Sequence, residues 1–339
     1  MVTLKEIAAR AGVSVSTVSR IINSSDNSFA RKEVRDRVWT IIKETGYTPN
    51  QSARALKRGK ADMPIGAVAC ILGRIKTLED DPFFAQLARV IEQQAMEKGY
   101  PVRLSYSIFD RKHNLILGKM ESMQVDGAVV LGRLSDSATA FLERYYKNIV
   151  FVGRNKIRAE WDQVLCDGYD ATRIALEHLI AFGHRRIGYI GGIADEARYQ
   201  GYIDTLRKHG LAYDARLVCE CMQNGAGGYR GADLLLNAGV PLPSAVFCAA
   251  DVVAIAALRR FAEAKIKIPQ QLSIISMDNI ERSGYVSPML TTVGMPIFEM
   301  GNMAVQILID RIHKQHKLPM KVFLPNKLMV RESVAPYFD

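Results

Sequence analysis

Four side chains with hydrogen-bonding chemistry, Ser16, Ser19, Arg20 and Asn23, fall on one side of any helix that begins at Val15. At about 100° per residue, Val15, Val18, Ile21 and Ile22 gather on the other side. Short polar side chains around a single arginine suit a helix that lies in the major groove of DNA. Arg pairs in bidentate fashion with guanine, while Ser and Asn reach phosphates or base edges. Such a helix needs a support, and the preceding residues supply one. Thr3 and Glu6 are spaced as a capping box for a first helix. Gly12 takes the backbone angle that ends it, and Ser14 caps the next. The plainer alternative is a capped helical hairpin with a solvated face.

Charge argues for the first reading. The 339 residues carry 45 Lys+Arg against 35 Asp+Glu, a formal charge of +10. Residues 1–60 alone hold twelve basic and five acidic residues, leaving only +3 on the remainder. A basic end on a near-neutral body is the electrostatic footprint of a phosphate partner. An anionic membrane would need an aromatic or leucine-rich helix face, which this segment lacks.

A third helix fits residues 31–45, with Val34, Val38, Ile41 and Ile42 spaced to pack on the first two and Gly46 as its stop. Tyr47-Thr48-Pro49 imposes an extended step before residues 50–58, a helix-prone piece carrying Arg54, Lys57, Arg58 and one large apolar residue, Leu56. Residues 59–64 read as a junction. Beyond them β-rich runs (65–71, 102–106, 127–131, 149–152, 186–190, 245–248, 272–276) alternate with amphipathic ones (83–98, 135–146, 171–182, 198–209, 229–238, 252–264, 298–314). That alternation predicts parallel, doubly wound sheets. Two such lobes leave a cleft at the carboxyl ends of their strands, where small ligands bind.

Several classes are set aside. No run of 18 apolar residues exists to span a membrane, and the chain opens on a helix cap rather than a secretory stretch, so a cytoplasmic location is expected. Gly188 with Gly191-Gly192 lacks the spacing of a dinucleotide fingerprint, and no phosphate-cradling loop appears. No cofactor is expected. Neither a nucleophile motif nor paired catalytic carboxylates emerge, so no enzyme is predicted. Cys70, Cys166, Cys219, Cys221 and Cys248 mostly sit in apolar surroundings and read as reduced thiols, and His313 with His316 reads as a solvated basic helix face. No metal is expected.

The segment T-L-K-E-I-A-A-R-A-G-V-S-V-S-T-V-S-R-I-I-N closely resembles the helix-turn-helix of the lactose/galactose repressor family of bacterial transcription regulators. Tyr47-Thr48-Pro49-Asn50 and Ala53-Arg54-Ala55-Leu56 look like that family's hinge helix, and the likeness runs nearly to the C-terminus. It implies an all-α helix-turn-helix head plus an α/β body of two doubly wound parallel-sheet lobes of the periplasmic-binding-protein type. The head spans residues 1–46, the hinge helix and linker 47–61, and the effector-binding and dimerisation domain 62–339. The chain is then expected to cross between lobes near 161, 291 and 323, giving lobes of 62–161 plus 291–323 and of 162–290, with a C-terminal tail. The resemblance implies DNA contacts from Thr3, Ser14, Val15, Ser16, Thr17, Ser19, Arg20 and Asn23, and from Asn50, Ala53 and Leu56 in the hinge. Leu56 is the expected wedge in the minor groove. The protein is expected to bind a double-stranded operator as a homodimer or higher oligomer.

In the body, Arg198 starts a helix after a strand-loop, and Asp278 follows a strand. Together they offer a planar donor set and a carboxylate to vicinal hydroxyls. Both match the family's effector-contacting arginine and aspartate. Phe83 and Phe84, after Asp80-Asp81-Pro82, resemble the family segment that closes over the ligand, and one of the two is expected in the core. Asp251 matches a strand-end aspartate and fits equally an N-cap for 252–264 or a ligand contact. Arg133 is expected in solvent near the cleft mouth. Two departures stand out: Gly153-Arg154-Asn155 where relatives carry an aspartate, and Met222-Gln223-Asn224-Gly225 where they carry a stacking aromatic residue. The expected function is a repressor of carbohydrate-utilisation genes controlled by a sugar bound between the lobes. The alternatives are a purine or nucleoside effector, or a phosphoprotein corepressor.

Overall fold

The computed structural model describes residues 3–23, 30–45, 66–73, 77–78, 81–108 and 125–338. The chain divides into two compact units, Met1–Ile65 and Gly66–Asp339. In the first, three helices follow the expected signals: α1 (Leu4–Ala11), α2 (Val15–Asn23) and α3 (Lys32–Thr45). The capping box closes at both ends, Glu6 N donating to Thr3 Oγ1 and Thr3 N to Glu6 Oε2, each at 3.3 Å. Gly12 ends α1 at φ 65°, in the left-handed region that suits glycine. Ser14 Oγ accepts from Thr17 N at 3.1 Å and so opens α2. Ile7, Ala8, Ala11, Val18, Ile21 and Val38 form the core of this unit, with Ile22, Val34, Ile41 and Ile42 packed around it. Val15 departs from the expected apolar sector and is 39% exposed. A helical side chain leans toward the N-terminus, so one on the first residue projects past the packed seam.

The second unit begins with β1 (Val68–Leu72), α4 (Pro82–Glu97), β2 (Val102–Ser107), β3 (Gly127–Leu131), α5 (Asp136–Tyr145), β4 (Ile149–Gly153) and β5 (Asp162–Cys166). It continues with α6 (Gly168–Ala181), β6 (Ile187–Gly191), α7 (Ala197–Lys208), β7 (Val218–Glu220), α8 (Gly225–Leu236), β8 (Ala245–Cys248) and α9 (Asp251–Glu263). Last come β9 (Ser273–Asp278), β10 (Thr291–Gly294), α10 (Ile297–Ile312), β11 (Lys321–Leu324) and β12 (Lys327–Met329). Two six-stranded sheets result, ordered β11-β5-β4-β3-β1-β2 and β12-β10-β9-β8-β6-β7. All described pairings are parallel except β10 with β12. Every residue of β1, β3, β4, β6 and β8 is buried, as parallel strands covered on both faces require.

Strand membership moves the lobe crossings. β5 belongs to the first sheet and β10 to the second. The chain therefore crosses after Cys166 rather than near 161 and between Gly294 and Ile297 rather than near 291; the third crossing lies between Leu324 and Lys327. β5 shows no apolar run from its start, because it opens with two polar residues. Asp162 and Gln163 are fully buried, and both are satisfied. Asp162 accepts from Arg311, from Met320 N at 2.7 Å and from His316 Nε2 at 3.0 Å. Burial works against its charge, yet these donors hold its carboxyl below the ordinary value. His313 instead meets the Tyr100 hydroxyl at 2.7 Å, so the two histidines serve separate partners.

α8 starts four residues before the expected run, in the glycine-rich stretch Gly225-Ala226-Gly227-Gly228, because Asn224 Oδ1 caps it through Gly227 N at 2.8 Å. Gly228 lets α8 approach α9: a Cβ there would stand 2.3 Å from the Val253 carbonyl oxygen. Gly228→Ala is therefore expected to lower unfolding free energy by about 1–3 kcal/mol in urea titration, the usual range for overpacking. Gly225→Ala, with nothing within 4 Å of its Cβ, is the control and should not destabilise.

Candidate functional site

The strand ends bring a set of charged side chains together between the two lobes. At the end of β4, Gly153 is followed by Arg154, only 5% exposed. Its guanidinium carbon lies 4.1 Å from the Phe83 ring centroid and 5.2 Å from that of Phe84. Those two rings meet edge to face at 5.1 Å, and both are buried, so the pair forms one aromatic wall rather than one core and one ligand residue. Asp81 places them: its carboxylate accepts from Phe83 N at 3.0 Å and caps α4, whose first residue is Pro82. The same carboxylate stands 3.9 Å from Arg154 Nη1.

From the other lobe comes Asp278, the last residue of β9 rather than the residue after it. It faces Arg154 Nη2 at 2.8 Å, an ion pair whose two side chains are 3% and 2% exposed. Burial, helped by Asp81 and Asp251, pushes the Asp278 carboxyl up despite the pull of Arg154 and Arg198. Its φ of 118° is rare for any residue with a side chain, and Asn279 follows at φ 54°.

Asp251 holds that turn. It is the first residue of α9 but not its N-cap, which is Ala250. Oδ1 accepts from Ser276 Oγ and from Thr292 Oγ1 at 2.7 Å, and Oδ2 accepts from Ile280 N at 2.8 Å. Burial drives its pKa up to about 6 against these donors. With its carboxylate engaged inside the lobe, Asp251 positions Asp278; it does not line the cavity. Arg331 adds a second strap through Asn279 Oδ1 at 2.6 Å.

Arg198 is equally enclosed. Nε and Nη2 fork onto the Glu196 carboxylate at 2.7 and 2.6 Å, and Nη1 donates to Ala249 O at 2.6 Å. Burial would lower its pKa, but Glu196 at the N-terminus of α7 raises it on balance. The expected free arginine fork is thus already paired. Glu196 is the residue the sequence reading missed; its signal was an acidic N-cap two positions before Arg198. It also receives Gln223 Nε2 at 3.2 Å and, across the cleft, Asn155 Nδ2 at 3.5 Å.

A cavity of about 640 Å³ opens beside these residues, with Arg154, Asn155, Asp167, Tyr169 and Glu196 among its walls. Phe83, Phe84 and Asp278 are not on its surface, because Arg154 stands between. At the mouth, Arg133 pairs with Asp195 at 3.3 Å, with both side chains well exposed. Met222 turns outward, 72% exposed. Of the residues expected on DNA, Ser16 and Arg20 are exposed on α2, Thr17 and Ser19 are half-buried, and Thr3 and Ser14 serve as caps. Asn50, Ala53 and Leu56, with the side chain of Asn23, lie outside the described residues. The four buried thiols are raised by burial, which keeps them protonated.

Known proteins resemble this chain throughout. Residues 3–50 match the lacI family of bacterial regulatory proteins, and residues 176–334 match the periplasmic binding protein-like domain. The HTH-type transcriptional repressor PurR of Klebsiella pneumoniae is 30% identical across 100% of this chain and 99% of its own length. PurR of Proteus mirabilis is 31% identical over the same shares. Among solved structures, the transcriptional regulator CelR in complex with cellobiose is 29% identical, with TM-score 0.73 over 98% of this chain and 100% of that one. The lac repressor dimer bound to operator and the anti-inducer ONPF shares the fold, with TM-score 0.73 at 23% identity over 98% and 99% of the two chains. A helix-turn-helix unit, two parallel-sheet lobes and full-length relatives at 31% identity together place the chain in the lacI family of bacterial regulatory proteins, as a DNA-binding transcriptional repressor.

Proposed function

We propose that this repressor controls carbohydrate-utilisation genes from the bacterial cytoplasm, and that a sugar bound between its lobes sets its affinity for the operator. The observation that carries the reading is a set of buried polar atoms in the cleft that find no hydrogen-bond partner among the described residues. Arg154 Nε and Nη2 are donors, while Asn155 Oδ1, Gln223 Oε1 and Asp278 Oδ1 are acceptors. Arg154 and Asp278 attract one another as charges but lack hydrogen-bond geometry. Leaving such groups unsatisfied is costly, and hydroxyl groups, which both donate and accept, answer both kinds at once. The likeness to CelR in complex with cellobiose supports the same reading. A second reading, a purine or nucleoside effector, is favoured by the full-length PurR relatives, and a ribose would meet the same hydroxyl-binding atoms. Thermal-shift titration of the full chain with neutral sugars, sugar phosphates, purines and nucleosides separates the two. A purine base that stabilises the protein where sugars do not would displace the first.

On the DNA side, we assign sequence readout to the exposed face of α2 and dimerisation to the body. Arg20→Ala is expected to cost about 1–3 kcal/mol on the specific operator and little on random DNA, measured by fluorescence anisotropy. Equal losses on both would make Arg20 a phosphate contact. In the cleft, Asn155→Ala and Gln223→Ala should each weaken effector binding by roughly 0.5–1.5 kcal/mol in calorimetry, the net worth of a neutral hydrogen bond. Arg198→Ala and Asp251→Asn should instead lower the melting temperature with no effector present. The first strands the buried Glu196 carboxylate, and the second breaks the clamp on the Asp278 turn.

A further inference from the structure

We propose that Arg154 is an intramolecular ligand of the cleft, a tethered cation that holds the two lobes together until an effector takes its place on Asp278. This rests on the reading of the interlobe cleft as the effector site. Phe83, Phe84, Asp81 and Asp278 make a box of two aromatic faces and two carboxylates, the surroundings that favour a cation. Its occupant is the chain's own guanidinium, carried on the first lobe at the end of β4. Among the described residues the second lobe contributes Asp278 alone to this box, and their contact carries charge attraction across the cleft in a buried setting. Among the described residues, the other side-chain links across the cleft are weaker. Arg133–Asp195 is exposed to screening, and Asn155–Glu196 is at the long limit of a hydrogen bond.

The seat is imperfect in a telling way. Among the described residues, Arg154 Nε and Nη2 find no hydrogen-bond acceptor while buried, and Asp278 Oδ1 finds no donor. A ligand whose hydroxyls donate to Asp278 satisfies the carboxylate better than the guanidinium does. Arg154 also borders the 640 Å³ cavity, so it has room to withdraw beside the incoming molecule. Exchange of one occupant for the other changes what bridges the lobes, and a ligand shifts a conformational balance only through such a difference between states. The arginine at this position thus makes closure of the empty cleft a property of the chain itself.

The test needs no effector, so its outcome is independent of whether a sugar is found. Spin labels on cysteines introduced at the exposed Ala140 of α5 and Ala262 of α9, in a Cys221→Ser background, report the interlobe distance by pulsed electron paramagnetic resonance. Labelled full-length chains are diluted into unlabelled protein. The parent should give one short, narrow distance. Arg154→Ala should shift it to longer and broader values, and low-millimolar methylguanidinium should restore the short one. Urea, the same shape without charge, should not. The double variant Arg154→Met/Asp278→Asn removes both charges while filling the box, which guards against a folding defect; it should open the cleft and ignore methylguanidinium. A short distance retained in both variants, with cooperative melting, would make Arg154 a passenger and overturn the proposal. Opening that methylguanidinium fails to reverse, or that urea reverses equally, would overturn it as well.

Discussion

A parallel strand buried on both faces can present chemistry only where it ends, and that constraint organises this body. β4 and β9 are apolar or satisfied along their length, and each delivers its first reactive side chain at or just past its carboxyl end: Arg154 and Asp278. β5 and β8 do likewise through the helix starts Asp167 and Asp251, and the loop after β6 leads to the helix start Glu196. Three crossings then turn the carboxyl edges of the two sheets toward one another. The cleft is a consequence of this arrangement rather than a feature added to it.

Charges gathered at such an edge leave water, so each needs a counter-charge or a ring of donors. The molecule uses both. Glu196 and Arg198 neutralise one another through a two-pronged fork, Asp251 is held by three hydrogen-bond donors, and Arg154 spans the lobes to Asp278. Buried pairs of this kind add little net stability, since desolvation offsets their attraction, but removing one member costs about 3–5 kcal/mol. Of the three, only the Arg154 pair joins elements that belong to different lobes.

The head follows different rules. Its α1 to α3 unit buries a small apolar seam, and its energetics lean on caps: the Thr3–Glu6 box, Gly12 in the left-handed region and the Ser14 hydroxyl. What it keeps outside is a basic surface and the polar face of α2. The separation of tasks is chemical as well as spatial, because a phosphate-seeking surface gains from uncompensated positive charge and a ligand cleft in an apolar body does not.

Sequence alone determined whatever depends on local pattern. Helix caps, the 3.6-residue periodicity of the body helices and the apolar runs of β1, β3, β4, β6 and β8 are short-range signals. Tertiary structure decided what depends on pairing between distant residues. β5 was illegible because Asp162 and Gln163 become strand residues only once Arg311, His316 and the Ile157–Ala159 loop satisfy them. Arg198 read as a free fork although its local partner, the N-cap Glu196, stands two positions before it; what lay out of reach was the Ala249 carbonyl, 51 residues on, that takes its third donor. Asp251 stayed undecided between cap and contact until Ser276, Thr292 and Ile280 closed around it. Arg154 registered only as a missing aspartate, since its partners are distant along the chain: Phe83 and Phe84, some 70 residues away, meet it when the first lobe folds, and Asp278, some 120 residues away, only when the lobes face each other.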